Sequence, residues 1–149
     1  MALHPELLEN MSAAEFIALI KGTPDQEIRD DFAGEHREPL LDAIFARFPH
    51  QFRPDKAAGR TARIDFRVTG GPGDSSDTYG VLVDQGICTV EKGAAESPDL
   101  SLMLGPAEFL KLISGTGNPA MMFMMGKVKA RGDLGLASGL ANWFHAPQA

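Results

Sequence analysis

The sequence predicts an α+β fold: a five-stranded, mostly antiparallel sheet flanked by helices. Three observations predict it. The apolar residues recur at helical spacing up to Phe48, alternate between Ala62 and Leu104, return to helical spacing from Pro106 and alternate once more at Val128 to Arg131. Turn signals separate the alternating segments, so three consecutive links read as hairpin-like and the sheet cannot be wholly parallel. The length of 149 residues is that of one ordinary domain, because either half alone would be short of core.

The elements follow in order. Ser12-Ala13-Ala14-Glu15 is a capping box ahead of Phe16, Ile17, Leu19 and Ile20, and Gly22 ends that helix. Thr23-Pro24-Asp25-Gln26 repeats the device, with Thr23 as cap, Pro24 at the first helical position and Gln26 reaching back, for a second helix to about Phe32. Leu40, Leu41, Ile44, Phe45 and Phe48 form the apolar stripe of a third, stopped by Pro49 and Pro54. Ala62, Ile64, Phe66 and Val68 alternate with Arg63, Asp65 and Arg67, which describes a strand with one solvated face. A turn from Gly70 to Asp77 follows, and then Tyr79–Val83 and Ile87–Val90 flank the tight hairpin Asp84-Gln85-Gly86. Leu100, Leu102 and Leu104 make a fourth strand, with Met103 on its other face. Pro106 opens a helix bearing Phe109, Leu112 and Ile113, and Asn118-Pro119 caps a short one, Ala120–Met125. The short helix is apolar all round and is therefore expected to be buried. Val128 and Ala130 alternate with Lys127, Lys129 and Arg131 in a last strand with a basic outer face, and Asp133 caps a final helix carrying Leu136, Leu140, Trp143 and Phe144.

Composition excludes several function classes. Fourteen Lys and Arg against 20 Asp and Glu give a net charge of −6, the wrong sign for neutralising phosphates, so nucleic acid is not an expected partner. The single Cys88 makes no internal disulfide, the residues from Met1 carry no basic, apolar leader pattern, and a cytoplasmic location is expected. No apolar run approaches the roughly 20 residues of a membrane span. His4, His36, His50 and His145 lie apart without the spacing of a metal site, so no metal is expected. Gly115 to Ala120 spells a dinucleotide fingerprint but follows a helix instead of a strand, and Gly126-Lys127 lacks the Ser or Thr of a phosphate loop. No cofactor is expected. No nucleophile elbow surrounds Ser138. Asp65 or Asp99 as base with Tyr79 as donor would make a steroid-isomerase-type enzyme, an alternative set against Asp65 on the polar phase of its strand and Asp99 beside a turn proline.

Methionine is the unusual feature: of seven in the chain, Met121, Met122, Met124 and Met125 surround Phe123. Such flexible side chains either fill irregular core or adapt to an apolar partner, and composition leaves both open.

The ordered string Asp99-Leu-Ser-Leu-Met-Leu104, Phe109-Leu110, Gly115, Asn118-Pro119, Phe123, Gly126-Lys-Val-Lys129, Gly132-Asp133 and Gly135-Leu-Ala137 resembles the sterol carrier protein type two lipid-binding family. The resemblance divides the chain into a helical N-terminal extension, 1–35, and a sterol-carrier-like domain, 36–149. It implies helices on one face of the sheet, enclosing an apolar tunnel, and a non-enzymatic carrier of sterol, fatty acid, fatty acyl-CoA or phospholipid. Carried over, Leu102 and Leu104 line the sheet side of that tunnel and Phe109, Leu112 and Ile113 its helix side. Met121, Met122, Phe123, Met124 and Met125 form a mobile wall, and Leu136, Leu140 and Phe144 the closing helix. The chain departs from the family pattern at Ala120, where many relatives carry glutamine, which makes the wall more apolar. It ends Pro147-Gln148-Ala149 without the peroxisomal tripeptide of many relatives. A groove lined by these methionines could alternatively grip a helix of another protein, and the N-terminal helices could serve as a lid, a homodimer contact or packing.

Overall fold

The computed structural model describes residues 11–48, 61–114 and 119–133. Three helices, α1 (Ala13–Gly22), α2 (Asp25–Phe32) and α3 (Arg37–Phe45), precede the strands β1 (Ala62–Val68), β2 (Asp77–Asp84), β3 (Ile87–Lys92) and β4 (Leu100–Leu104). Helices α4 (Pro106–Ser114) and α5 (Pro119–Met124) then lead to β5 (Val128–Gly132). The five strands form one sheet in the order β3-β2-β1-β4-β5.

The twofold pattern read from the sequence sets the faces. Ile64, Phe66 and Val68 of β1, Tyr79, Val81 and Val83 of β2 and Leu100, Leu102 and Leu104 of β4 are all buried on one side, and the register puts them beside one another, with Phe66 opposite Tyr79 and aligned with Leu102. Helices cover this side. Phe45 of α3 stacks on Tyr79 at 4.3 Å between ring centroids and on Phe109 of α4 at 5.1 Å, and meets Phe66 edge-on at 5.8 Å. Helices α1 and α2 pack on α4, burying Phe16, Ile20, Ile28 and Phe32, and Lys111 Nζ pairs with Asp25 at 2.8 Å. The N-terminal helices therefore share the core of the helical layer.

The β2–β3 hairpin turns on Gln85 and Gly86, both with positive φ (49° and 82°), as the favoured two-residue hairpin turn requires. The link from β3 to β4 differs from expectation. It is no hairpin but a crossover that lays β4 parallel to β1. Asp99 fixes this arrangement: its N–H donates to Arg63 O at 3.0 Å, and its carboxylate accepts from the Arg63 N–H at 2.8 Å. The remaining pairings, β1–β2, β2–β3 and β4–β5, are antiparallel.

The capping box of α1 forms as read, with Ser12 Oγ accepting from the Glu15 N–H and Glu15 accepting from the Ser12 N–H. Its expected repeat does not. Pro24 is the N-cap of α2 and offers no side-chain bond. Thr23 instead donates its hydroxyl to Leu19 O at 2.6 Å, and Gln26 donates its amide to Asp30 at 3.0 Å. A hydroxyl can satisfy a nearby carbonyl at the end of the preceding helix as readily as an N–H at the start of the next.

Candidate functional site

The site expected from the sequence lies where the sheet's apolar face meets α4 and α5. Leu102, Leu104 and Phe109 are fully enclosed, and Met122 is only 7% exposed. Around them Leu112, Ile113, Phe123 and Ala130 are half-buried against the same core. Two kinds of wall thus meet here. Toward β1 and β2 the interior is a close stack of aromatic rings, with Phe48 lying 5.1 Å from Phe45, and it is rigid. Toward β5 the apolar layer is aliphatic and thioether, and its outer residues are only partly covered. Leu136, Leu140 and Phe144, expected to close this side, lie outside the described residues, as do Gly115 and Asn118.

The methionine helix is not uniformly buried. Helix α5 spans six residues and turns Met122 inward, while Met121, Met124 and Met125 are exposed by 56%, 87% and 61%. A helix this short can present only about one residue per turn to a flat sheet face, so composition overstated its burial. Its C-terminal turn is closed by Met125 N–H to Met121 O at 2.9 Å, Gly126 N–H to Phe123 O at 3.1 Å and Lys127 N–H to Met122 O at 2.9 Å.

The residues of the isomerase alternative are not assembled. Tyr79 points to the helical side and donates its hydroxyl to Asp42 of α3 at 2.6 Å. Lys92 closes on the same carboxylate at 3.0 Å. Burial first, then the bond to Asp42, drives the Tyr79 pKa far above the ordinary tyrosine range. Asp65 aligns with Gly80, next to Tyr79 along β2, and so lies on the opposite face of the sheet. Contrary to its reading as a solvated strand residue, Asp65 is 2% exposed. It accepts from Arg63 Nε at 2.8 Å and from the Ala95 N–H at 2.9 Å, because the chain before β4 folds over that face. The Arg63 guanidinium also reaches Glu91 at 2.8 Å and Gly93 O at 2.9 Å. It lies directly over Gly80, where a Cβ would collide with it, so a larger residue there would push the guanidinium off its position over the sheet.

Two polar residues that the sequence did not single out hold the framework of the site. Asp42 is one. Arg37 is the other: at 4% exposure, it donates to Asp77 at 2.6 Å, to Phe32 O at 3.0 Å, to Thr69 O at 3.1 Å and to Val68 O at 2.5 Å. It thereby ties α2 and α3 to the ends of β1 and β2. Most of its partners are backbone carbonyls, which leave no signature in a sequence. Cys88 is buried on β3 and its thiol is pushed up to about 11 by desolvation.

Two open surface clefts of about 560 Å³ each have mixed walls of charged and apolar groups. One runs between Arg29, Asp30, Gly70, Glu108, Lys127 and Lys129; the other lies on the outer sheet face between Arg67, Thr78, Ala95, Ser101 and Arg131. Among the described residues no His, Cys, Asp and Glu cluster could hold a metal ion, and no helix is long and apolar enough to cross a membrane.

Comparison with known proteins agrees with this architecture. The model of the SCP-2 sterol transfer family matches residues 41–145. Human sterol carrier protein 2 is 35% identical over 77 residues, which are 52% of this chain and 14% of the human protein. Its chicken counterpart is 31% identical over 77 residues, again 14% of its length. The match therefore spans only a small part of these relatives. Among solved structures, the stereoselective inverting sec-alkylsulfatase Pisa1 from Pseudomonas sp. aligns with TM-score 0.64 at 17% identity over 85% of this chain and 20% of its own. Sterol carrier protein 2 like 2 from Aedes aegypti aligns with TM-score 0.53 at 24% identity over 71% of this chain and 94% of its own. At these identities the structural likenesses show the fold.

Proposed function

Because the chain belongs to the SCP-2 sterol transfer family, we propose that it binds and transfers apolar lipids without covalent chemistry. The ligand is a sterol, fatty acid, fatty acyl-CoA or phospholipid, held in a tunnel between the inner sheet face and helices α4 and α5. The unit that does this is residues 36–149, with α1 and α2 as an extension seated on α4. The observation that carries the reading is the contrast within one apolar layer: a rigid aromatic stack toward β2 and a half-covered aliphatic rim of Leu112, Ile113, Phe123 and Ala130 beside Met122.

The energetics suit such a guest. Burying about 400 Å² of apolar lipid surface at ~25 cal/mol per Å² yields roughly 10 kcal/mol gross. Association and ordering take back on the order of 4 kcal/mol or more, which leaves at most about 6 kcal/mol, or binding in the tens of micromolar. An empty, rigid cavity of ~300 Å³ would cost about 7 kcal/mol at ~24 cal/mol per Å³, comparable with the stability of a whole domain. The site must therefore collapse or stay filled when no ligand is supplied. Met122, the inward thioether of a short helix, is the side chain suited to follow either state.

Titration with a fluorescent fatty acid tests the reading. The parent protein is expected to shift and enhance the probe emission saturably in the tens of micromolar. Met122→Asp and Leu112→Asp each place a carboxylate in the lining and are expected to abolish the saturable signal. Leu112 is half-buried, so its variant disturbs the core less than Met122→Asp and keeps the test independent of folding. Undiminished uptake by a folded Leu112→Asp protein would remove α4 from the ligand's wall.

A further inference from the structure

We propose that the corner where α5 runs into β5 is a docking surface for anionic membranes. Met124 and Met125 are 87% and 61% exposed at the end of α5. The chain then turns through Gly126, whose φ is 73°, and enters the edge strand with Lys127, Lys129 and Arg131 all exposed. These three alternate with the inward Val128 and Ala130, so they project in a row on the outer side of the sheet, about 7 Å apart. None of the three is ion-paired among the described residues. Asp30 and Glu108 share a cleft with Lys127 and Lys129 but do not come within ion-pair distance of them.

Charge and chemistry choose the partner together. The chain as a whole carries −6, so an anionic bilayer repels it unless a local cationic patch is presented, and such a patch fixes which side faces the lipid. Long unbranched thioethers beside that patch can enter the acyl boundary without demanding a fixed mate, as in interfacial anchors that combine an apolar insertion with basic neighbours. The same corner bears Met122 and Val128 on its inner side, and Met124 and Met125 join that side to the cation row along the chain. This deepens the carrier reading and rests on it for its purpose, although docking itself requires no occupied site.

Vesicle flotation separates the two. The parent protein is expected to float with vesicles of phosphatidylcholine containing one third phosphatidylserine, to stay behind with phosphatidylcholine alone, and to be released by high salt. Each neutralised cation weakens binding roughly fivefold, so Lys129→Gln with Arg131→Gln lowers it by about 25-fold. That double variant takes up fluorescent fatty acid normally in vesicle-free buffer. Met124→Ser with Met125→Ser also reduces flotation while leaving its salt dependence. Flotation that ignores lipid charge, flotation unchanged in the Gln variant, or no flotation at all, with or without self-association, overturns the docking surface. Loss of fatty-acid uptake by the parent protein bears on the carrier reading instead.

Discussion

At the scale of single residues, the polar groups around the apolar site give the sharpest tests. Tyr79 is the chain's one tyrosine, so its ionisation is read directly from absorbance at 295 nm. Burial and the Asp42 bond favour its neutral form. The native state therefore gains from a neutral phenol below the unfolded pKa of about 10, and loses that gain as pH rises beyond it. The expected titration is flat through pH 10 and rises only with loss of near-UV circular dichroism; a reversible tyrosinate signal near pH 10 in folded protein contradicts it. Cys88, pushed up to about 11, works in the same sense. Its alkylation rate should climb with an apparent pKa well above the ordinary thiol value, whereas rapid labelling at neutral pH would place the thiol outside the core. Arg37→Met removes donors from three carbonyls and one carboxylate and should cost about 3 kcal/mol in urea unfolding. Asp65 shows what sequence phase cannot reveal. Its alternation was correct, but its burial depends on Ala95, thirty residues further on.

Whole elements were legible where their determinants are local. The Ser12 box and the Gln85-Gly86 turn depend on neighbours within a few positions, and both formed as read. Ser12→Ala should lower stability by about 1 kcal/mol, measured as a shifted thermal midpoint with α1 otherwise intact. Helix α5 was legible as an element but not in its exposure, because an all-apolar run has no polar phase to mark its outer side. With six residues and one buried methionine, it lies at the weakly held end of the molecule. Amide exchange in α5 should be fast relative to β1 and β4, and should slow when fatty acid is added. Equal protection of α5 and β4 in lipid-free protein would show the wall to be fixed, not adaptable.

For the whole molecule, the alternating segments foretold five strands and a mainly antiparallel sheet, but not the parallel β1–β4 pairing at its centre. That pairing joins segments more than thirty residues apart through Asp99 and Arg63, and nothing in the period of either strand encodes it. The candidate site was legible in the same proportion. Leu102, Leu104 and Phe109 sit in the core as their spacing requires, whereas the division of the methionines between inside and outside depends on the three-dimensional course of one short helix. A cavity beneath the helical cover would be costly to leave empty, and that cost is the physical basis of the proposed carrier function. Native mass spectrometry of protein taken directly from its host tests this most directly. The account predicts a second species, heavier by the mass of one lipid and removed by organic extraction. Only the bare polypeptide, from protein that also fails to take up added fatty acid, would contradict it.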